Sequence, residues 1–284
     1  MMEKELKLGI LGAAGSMGRH IMKLSINDKE IRIVKAYEVP SSPFIGIDVG
    51  NIVGESVQSV KIESVEKLNS DLNELKSRNE LPNVFIDFTV SSATEQNAPI
   101  IINQGISMVI GTTGLSSKFI ENLNILVKQN KVPIVVSTNM SVGVNVVFNI
   151  AKKLAEMLKG WEIEIIEAHH HRKLDAPSGT ALTLLEKICE SRGLDVNKTA
   201  KFGREKGKIS RTWGENEIGV HAIRAGDIVG DHIILYAGDG ERIELKHQAH
   251  SRDCFAAGAL KAAKFLVSKK NEPKIYSMSD VLGL

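Results

Sequence analysis

Charged and apolar side chains alternate from Glu5 and give way to an apolar run ending at Leu11, as in a strand that enters a core, and a helical stretch follows through Leu24. The same rhythm then repeats. Strands are predicted over residues 31–37, 84–88, 107–110 and 132–136, with a helix running to Ile102 that Thr89, Ser91 and Ser92 are placed to cap. Between them, residues 40–54 carry the serine, proline and glycine of a loop, and residues 65–76 read as a polar amphipathic helix. Repetition of strand, turn and helix predicts a parallel sheet, in which ligands gather at the carboxyl ends of the strands.

After Met140 the pattern changes. Val144, Val147, Phe148, Ala151, Leu154, Ala155 and Leu158 recur at helical spacing and form the core side of a helix. Residues 161–166 alternate as a half-buried strand does, and residues 181–188 are helical, so the basic run between them is placed on a connection. Residues 198–211, rich in Lys, Arg and Gly, read as a solvated mobile loop. Three strands are predicted over 218–223, 232–236 and 242–247; with no helix between them they are expected to be antiparallel neighbours. A helix over 253–267 closes the chain. The fold class is therefore α/β, a Rossmann-like dinucleotide-binding domain joined to an α+β domain with an open mixed sheet.

Composition narrows the function classes. The 284 residues, 43% hydrophobic and 25% charged, are enough for one or two substantial cores. A formal charge of +2 from 36 basic and 34 acidic residues gives no bulk attraction to nucleic acid or a membrane, so neither is expected as a partner. Cys189 and Cys254 lie far apart and read as free thiols suited to a reducing compartment. Residues 1–4 do not read as the start of a leader and no apolar run approaches ~20 residues, so a cytoplasmic protein is expected.

Two stretches carry chemistry. Gly12-Ala13-Ala14-Gly15-Ser16-Met17-Gly18 joins strand to helix, and a glycine turn there lets backbone amides reach a pyrophosphate. Glu38 follows about 20 residues after the last glycine, where such a fold places an acid on the adenosine ribose. The next residue, Val39, offers no cation to a 2′-phosphate, which favours NADH over NADPH, although Lys35 could reach across. The second stretch runs from Glu167 to Ala181. Its His169 and Lys173 are candidates for proton transfer, while His170 and the amides at Ser178, Gly179 and Thr180, at a helix start, are candidates to hold a carboxylate. A triple histidine can also be a solvated loop or adventitious metal ligand; no metal site is predicted.

Glu-Ala-His-His at 167–170, Lys173 and residues 175–181 together resemble the signature of the 4-hydroxy-tetrahydrodipicolinate (dihydrodipicolinate) reductase family, and residues 224–232 resemble it again. The resemblance implies reduction of a cyclic dicarboxylate by NADH or NADPH in diaminopimelate and lysine biosynthesis. It implies cofactor contacts at Gly111, Thr112 and Thr113 and at Ser137, Thr138, Asn139 and Met140, although the two threonines could also be a plain turn. Met140 stands where the family often has Phe. It further implies a homotetramer, with residues 1–140 and 252–284 binding the dinucleotide and 141–251 binding substrate and assembling the oligomer. Two other readings stay open: a different dehydrogenase, such as one acting on aspartate, and a non-catalytic NAD(H) sensor.

Overall fold

The computed structural model describes residues 5–211 and 216–284, which divide into two compact units, 1–142 with 252–283 and 143–251. Residues 1–4, read above for a leader, lie outside the described residues.

In the first unit β1 (Leu6–Leu11), α1 (Ser16–Ile26), β2 (Ile31–Glu38), α2 (Val49–Val53), β3 (Ile62–Ser64), α3 (Leu68–Ser77), β4 (Val84–Asp87), α4 (Ser91–Asn103), β5 (Ser107–Ile110), α5 (Ser117–Asn130) and β6 (Ile134–Val136) follow in order. The described strands form one parallel sheet of order β12-β6-β5-β4-β1-β2-β3, where β12 (Ile275–Tyr276) comes from the far end of the chain. The central strands β4 and β5 are buried on both faces, so their sequences read as short apolar runs. Leu8, Ile10, Ile86 and Val109 point to one core and Phe85, Met108, Ile110 and Ile134 to another. The order reverses between β1 and β4, the switch point at which such sheets collect ligands.

Two chain segments complete this unit. Helix α9 (Asp253–Ser268) buries Ala256, Ala259, Leu260 and Ala263 in the core that holds Ile21 and Met22 of α1, and α10 (Met278–Leu282) adds Met278 and Val281. A Cβ at Gly258 would stand 1.8 Å from the Met140 carbonyl oxygen, so only glycine permits this approach. The predicted cap of α4 is not used as expected. Val90 occupies the cap position without a side-chain bond, because Thr89 turns to Asp87 instead.

The second unit contains α6 (Val142–Met157), β7 (Glu162–His169), α7 (Gly179–Arg192), α8 (Val196–Thr199), β8 (Ala200–Phe202), β9 (Ile218–Arg224), β10 (Gly230–Gly238) and β11 (Glu241–Ala249). Arg192 closes α6 by donating to the carbonyls of Ala155, Leu158 and Trp161 at 3.0, 2.8 and 3.1 Å. The sheet is mixed, in the order β11-β10-β7-β9-β8. This corrects the expected run of three antiparallel neighbours: β10 and β11 do pair antiparallel, but β7 inserts between β10 and β9 and runs parallel to β9. Residues 198–211 are likewise not all loop. Thr199 ends α8, β8 pairs with β9, and Arg204 and Arg211 bind carboxylates of Glu164 and Glu217.

Helices α6 and α7 cover one face of this sheet, packing Val147, Phe148, Leu184 and Ile188 on Ile163, Ile165, Val220 and Ile234. Strand β7 alternates strictly and continues to His169. Glu167 and His169 therefore extend the helix-covered face of Ile163 and Ile165, on the strand itself rather than on the connection after it.

Candidate active site

The glycine turn sits at the carboxyl end of β1. Gly12 has φ +66°, a conformation that favours glycine, and a Cβ at Gly18 would come within 2.2 Å of the Gly12 oxygen. Gly15 is the N-cap of α1 and brings no side-chain bond to the helix start. Ala13 is buried, Met17 packs partly on the core, and Ser16 is exposed. Glu38, at the end of β2, folds over the turn: its Oε1 accepts from the amides of Ala14 and Gly15 at 2.8 and 3.1 Å, and its Oε2 from Val39 at 3.1 Å. The acid and the glycines therefore form one constellation. Lys35 is not part of it, because its ammonium is held by Glu63 and Asp71 at 3.0 Å each. Arg19, which sequence reasoning did not single out, donates to the Ala14 carbonyl at 2.7 Å with its guanidinium 4.6 Å from the centre of the Phe44 ring.

At the ends of β4 and β5 the side chains turn inward. The buried Thr112 hydroxyl lies 2.8 Å from Thr94 Oγ1 and 3.4 Å from Asp87 Oδ1, and Thr89 donates to the same carboxylate at 2.6 Å. Thr112 can therefore offer a cofactor only its backbone, whereas Thr113 is exposed. After β6, Ser137 Oγ donates to the Asn139 carbonyl at 2.8 Å, Asn139 Oδ1 accepts from Ser141, and Thr138 is exposed. Met140, a cofactor contact by resemblance, turns its side chain inward. Its side chain is fully buried in the core of the first unit.

The second constellation is built at the end of β7. Glu167 is fully buried and makes four charge-assisted contacts. Oε2 lies 2.6 Å from His169 Nδ1, Oε1 accepts the Ser178 amide at 3.0 Å, and Arg224 donates to both oxygens at 2.8 Å. Burial alone would raise this carboxyl, but the hydrogen bonds from His169, Arg224 and Ser178 outweigh it and hold the group down at about 2. The neighbouring His232 is pushed down to about 3, first by burial and then by its electrostatic interaction with His169, whose ring centre is 5.3 Å away. His232 is thus a neutral buried ring that meets Ser178 Oγ at 3.2 Å.

The connection from His169 to α7 is tied down along its length. Residues 169–171 bond to the backbone of residues 225–228, and Arg224 also donates to the Asp175 carbonyl. His170 lies at the first position after β7, while His171 and Arg172 are exposed. Lys173 pairs with Asp175 at 2.8 Å; against the opposing effect of burial, that hydrogen bond keeps the Asp175 carboxyl below its ordinary range. The Ala176-Pro177 peptide is cis.

Ser178 caps α7 by accepting from Ala181 at 3.3 Å. With its amide on Glu167 and its hydroxyl between Ala181 and His232, Ser178 ties the buried acid, the neutral ring and the start of α7 together. Gly179 is exposed and open, and Thr180 sits buried behind it. A cavity of about 410 Å³ takes in Ala176 and Pro177 with Val220, His221 and Arg204, and neither His169 nor Lys173 lines it.

The uncapped helix start, the left-handed Gly12 and the acid at the end of β2 fit a dinucleotide, and among the described residues no cluster of His, Cys, Asp and Glu could hold a metal. The second unit adds a buried acid–histidine pair and, on the connection that follows, the ammonium of Lys173, a combination that fits a nicotinamide-dependent oxidoreductase. Comparison with known proteins makes the class specific. Residues 6–140 match the family model for dihydrodipicolinate reductase, N-terminus, and residues 143–282 that for dihydrodipicolinate reductase, C-terminus. The 4-hydroxy-tetrahydrodipicolinate reductase of Methanobrevibacter smithii is 42% identical over 280 residues, covering 98% of this chain and 99% of that protein. That of Methanococcoides burtonii is 44% identical over 278 residues, with 98% and 99% covered. A dipicolinate-bound dihydrodipicolinate reductase from a Paenisporosarcina species has the same fold, with TM-score 0.72 at 23% identity over 96% of this chain and 97% of that one. The chain belongs to the dihydrodipicolinate reductase family and is an NAD(P)H-dependent oxidoreductase.

Proposed function

We propose that this chain reduces 4-hydroxy-tetrahydrodipicolinate to tetrahydrodipicolinate in diaminopimelate and lysine biosynthesis, the reaction for which its full-length relatives are named, with His169 as proton donor assisted by Lys173. The observation that carries the reading is the placement of both groups on one strand end and its connection, beside the start of α7. Reduced nicotinamide supplies the hydride when bound. The turn from Gly12 to Gly18 presents amides to its pyrophosphate and Glu38 an acceptor to its ribose, while Gly111, Thr112 and Thr113 and residues 137–140 contribute backbone at neighbouring strand ends.

His170, Lys173 and the amides of Gly179 and Thr180 hold the substrate carboxylates. Lys173 already binds a carboxylate in Asp175, so a substrate acid exchanges for a partner of the same kind. NADH is favoured over NADPH. Exposed Val39 brings no cation to the ribose position, and Lys35 is committed elsewhere.

Residues 1–140 and 252–284 form the dinucleotide-binding part and 141–251 the substrate-binding and oligomerising part. Ile166, Ile223, Ile233 and Leu235 lie on the sheet face opposite α6 and α7, and this apolar stripe supports a homotetramer. Free thiols at Cys189 and Cys254 support a cytoplasmic location; among the described residues no helix is long and apolar enough to cross a membrane.

The test is substrate-dependent oxidation of NADH and NADPH by the purified protein. His169→Asn should lower kcat by roughly two to four decades with little change in cofactor affinity. Turnover of aspartate instead, or NADH binding without any oxidation, would refute the reading.

A further inference from the structure

We propose that Glu167, clamped by Arg224, is a positioning residue that fixes the tautomer of His169: Nδ1 keeps its proton toward Glu167, and Nε2 carries the proton given to the substrate. The inference rests on His169 being the proton donor. Its physical basis is the competition for the two oxygens of one buried carboxylate. Oε1 already accepts from Ser178 and from Arg224 Nη2, and Oε2 accepts from Arg224 Nη1 and faces His169 Nδ1 at 2.6 Å. An ionised carboxylate can only accept, so the neutral ring must bring its hydrogen on Nδ1.

Arg224 lies opposite His169 in the β7–β9 register and reaches back along the strand to Glu167, so one guanidinium fixes the carboxylate across two strands. The other ring nitrogen faces a different neighbour. A Cβ added at Gly230 would stand 3.1 Å from His169 Nε2, so glycine leaves that side of the ring uncovered. The ionisable groups around the ring are Glu167 on its own strand, Arg224 on β9, His232 on β10, and Lys173 and Asp175 on the following connection. Of these, Glu167 is the one that hydrogen-bonds the ring. When Nε2 gives up its proton the ring becomes neutral with Nδ1–H still on Glu167, so no second proton has to move.

Glu167→Gln makes the idea testable. The single carbonyl oxygen of Gln is claimed by Ser178 and Arg224, which turns the amide NH2 toward Nδ1 and forces that nitrogen to accept. Nitrogen-15 NMR of the imidazole at alkaline pH should show wild-type His169 with a protonated Nδ1 and a bare Nε2, and the reverse in Glu167→Gln. In the same variant kcat should fall on the order of ten- to a hundredfold, with its alkaline limb about one pH unit lower, while the Kd for NADH is unchanged. A bare Nδ1 in the wild type overturns the proposal without recourse to any variant, and so does an unchanged tautomer in Glu167→Gln. Failure of the underlying assignment looks different: His169→Asn would keep full turnover whatever tautomer the wild type shows.

Discussion

The turn after β1 and the end of β7 both present polar groups at the carboxyl end of a strand, but they are made from opposite materials. Around the turn the working groups are backbone amides, and the sequence serves them by subtraction: Gly12 relieves the backbone, Gly18 removes a side chain that would strike the Gly12 oxygen, and Gly15 leaves the helix start uncapped. At β7 the working groups are charged side chains taken out of water, and they persist there only because each finds a partner. A backbone site is thus vulnerable to added atoms and a side-chain site to removed ones.

The largest expected effect follows from removal. Arg224→Ala strands the Glu167 charge in a fully buried position and should destabilise the second unit by about 3–5 kcal/mol, read by denaturant unfolding. A loss below 1 kcal/mol would mean that the buried charge is not dependent on its clamp. Addition is the matching test at the turn. The methyl of Gly18→Ala has to displace the backbone oxygens of Gly12 and Ala13, which should cost about 1–3 kcal/mol and weaken NADH binding by roughly tenfold or more in calorimetry. Unaltered binding would show that this close approach does not set the shape of the turn.

A third effect, spread over several pH units, is small at any one step and separates the sites by pH. His232 is held neutral down to about 3 against an ordinary 6.5, so below 6.5 the unfolded chain takes a proton that the folded chain refuses. Stability is therefore full above that point and should fall by up to about 1.4 kcal/mol per pH unit toward pH 3, and Glu167 adds its own loss between 4.5 and about 2. His232→Gln should flatten the first part of that slope in pH-dependent thermal melts; an unchanged slope would show that another group carries it.

Much of this was legible in the sequence because it is local. The glycine turn, Glu38, the alternation of β7 and the Ser178 cap are each written within a few residues, and the signature from Glu167 to Ala181 named the family. What stayed hidden is pairing between distant segments. Nothing near Arg224 says that it will meet Glu167, which is 57 residues away, and nothing in three successive strand patterns says that β7 will separate two of them. Edge strand β8 was lost in a basic stretch because only three residues form it. Thr112 and Met140 follow strand ends, as the local pattern implies, but whether a side chain faces inward is decided by Asp87, Thr94 and α9, which lie elsewhere in the sequence.

The chain leaves the first unit after residue 142 and returns to it at residue 252. During synthesis the ribosome therefore releases a nearly complete parallel sheet that still lacks β12 at one edge and α9 over Ile21 and Met22. Until about a hundred further residues have emerged, at roughly 5–20 per second, that oily flank has no cover of its own. The nascent amino-terminal portion is thus a natural client for a chaperone, and a transcript cut short before α9 would yield an aggregating fragment instead of a smaller working domain.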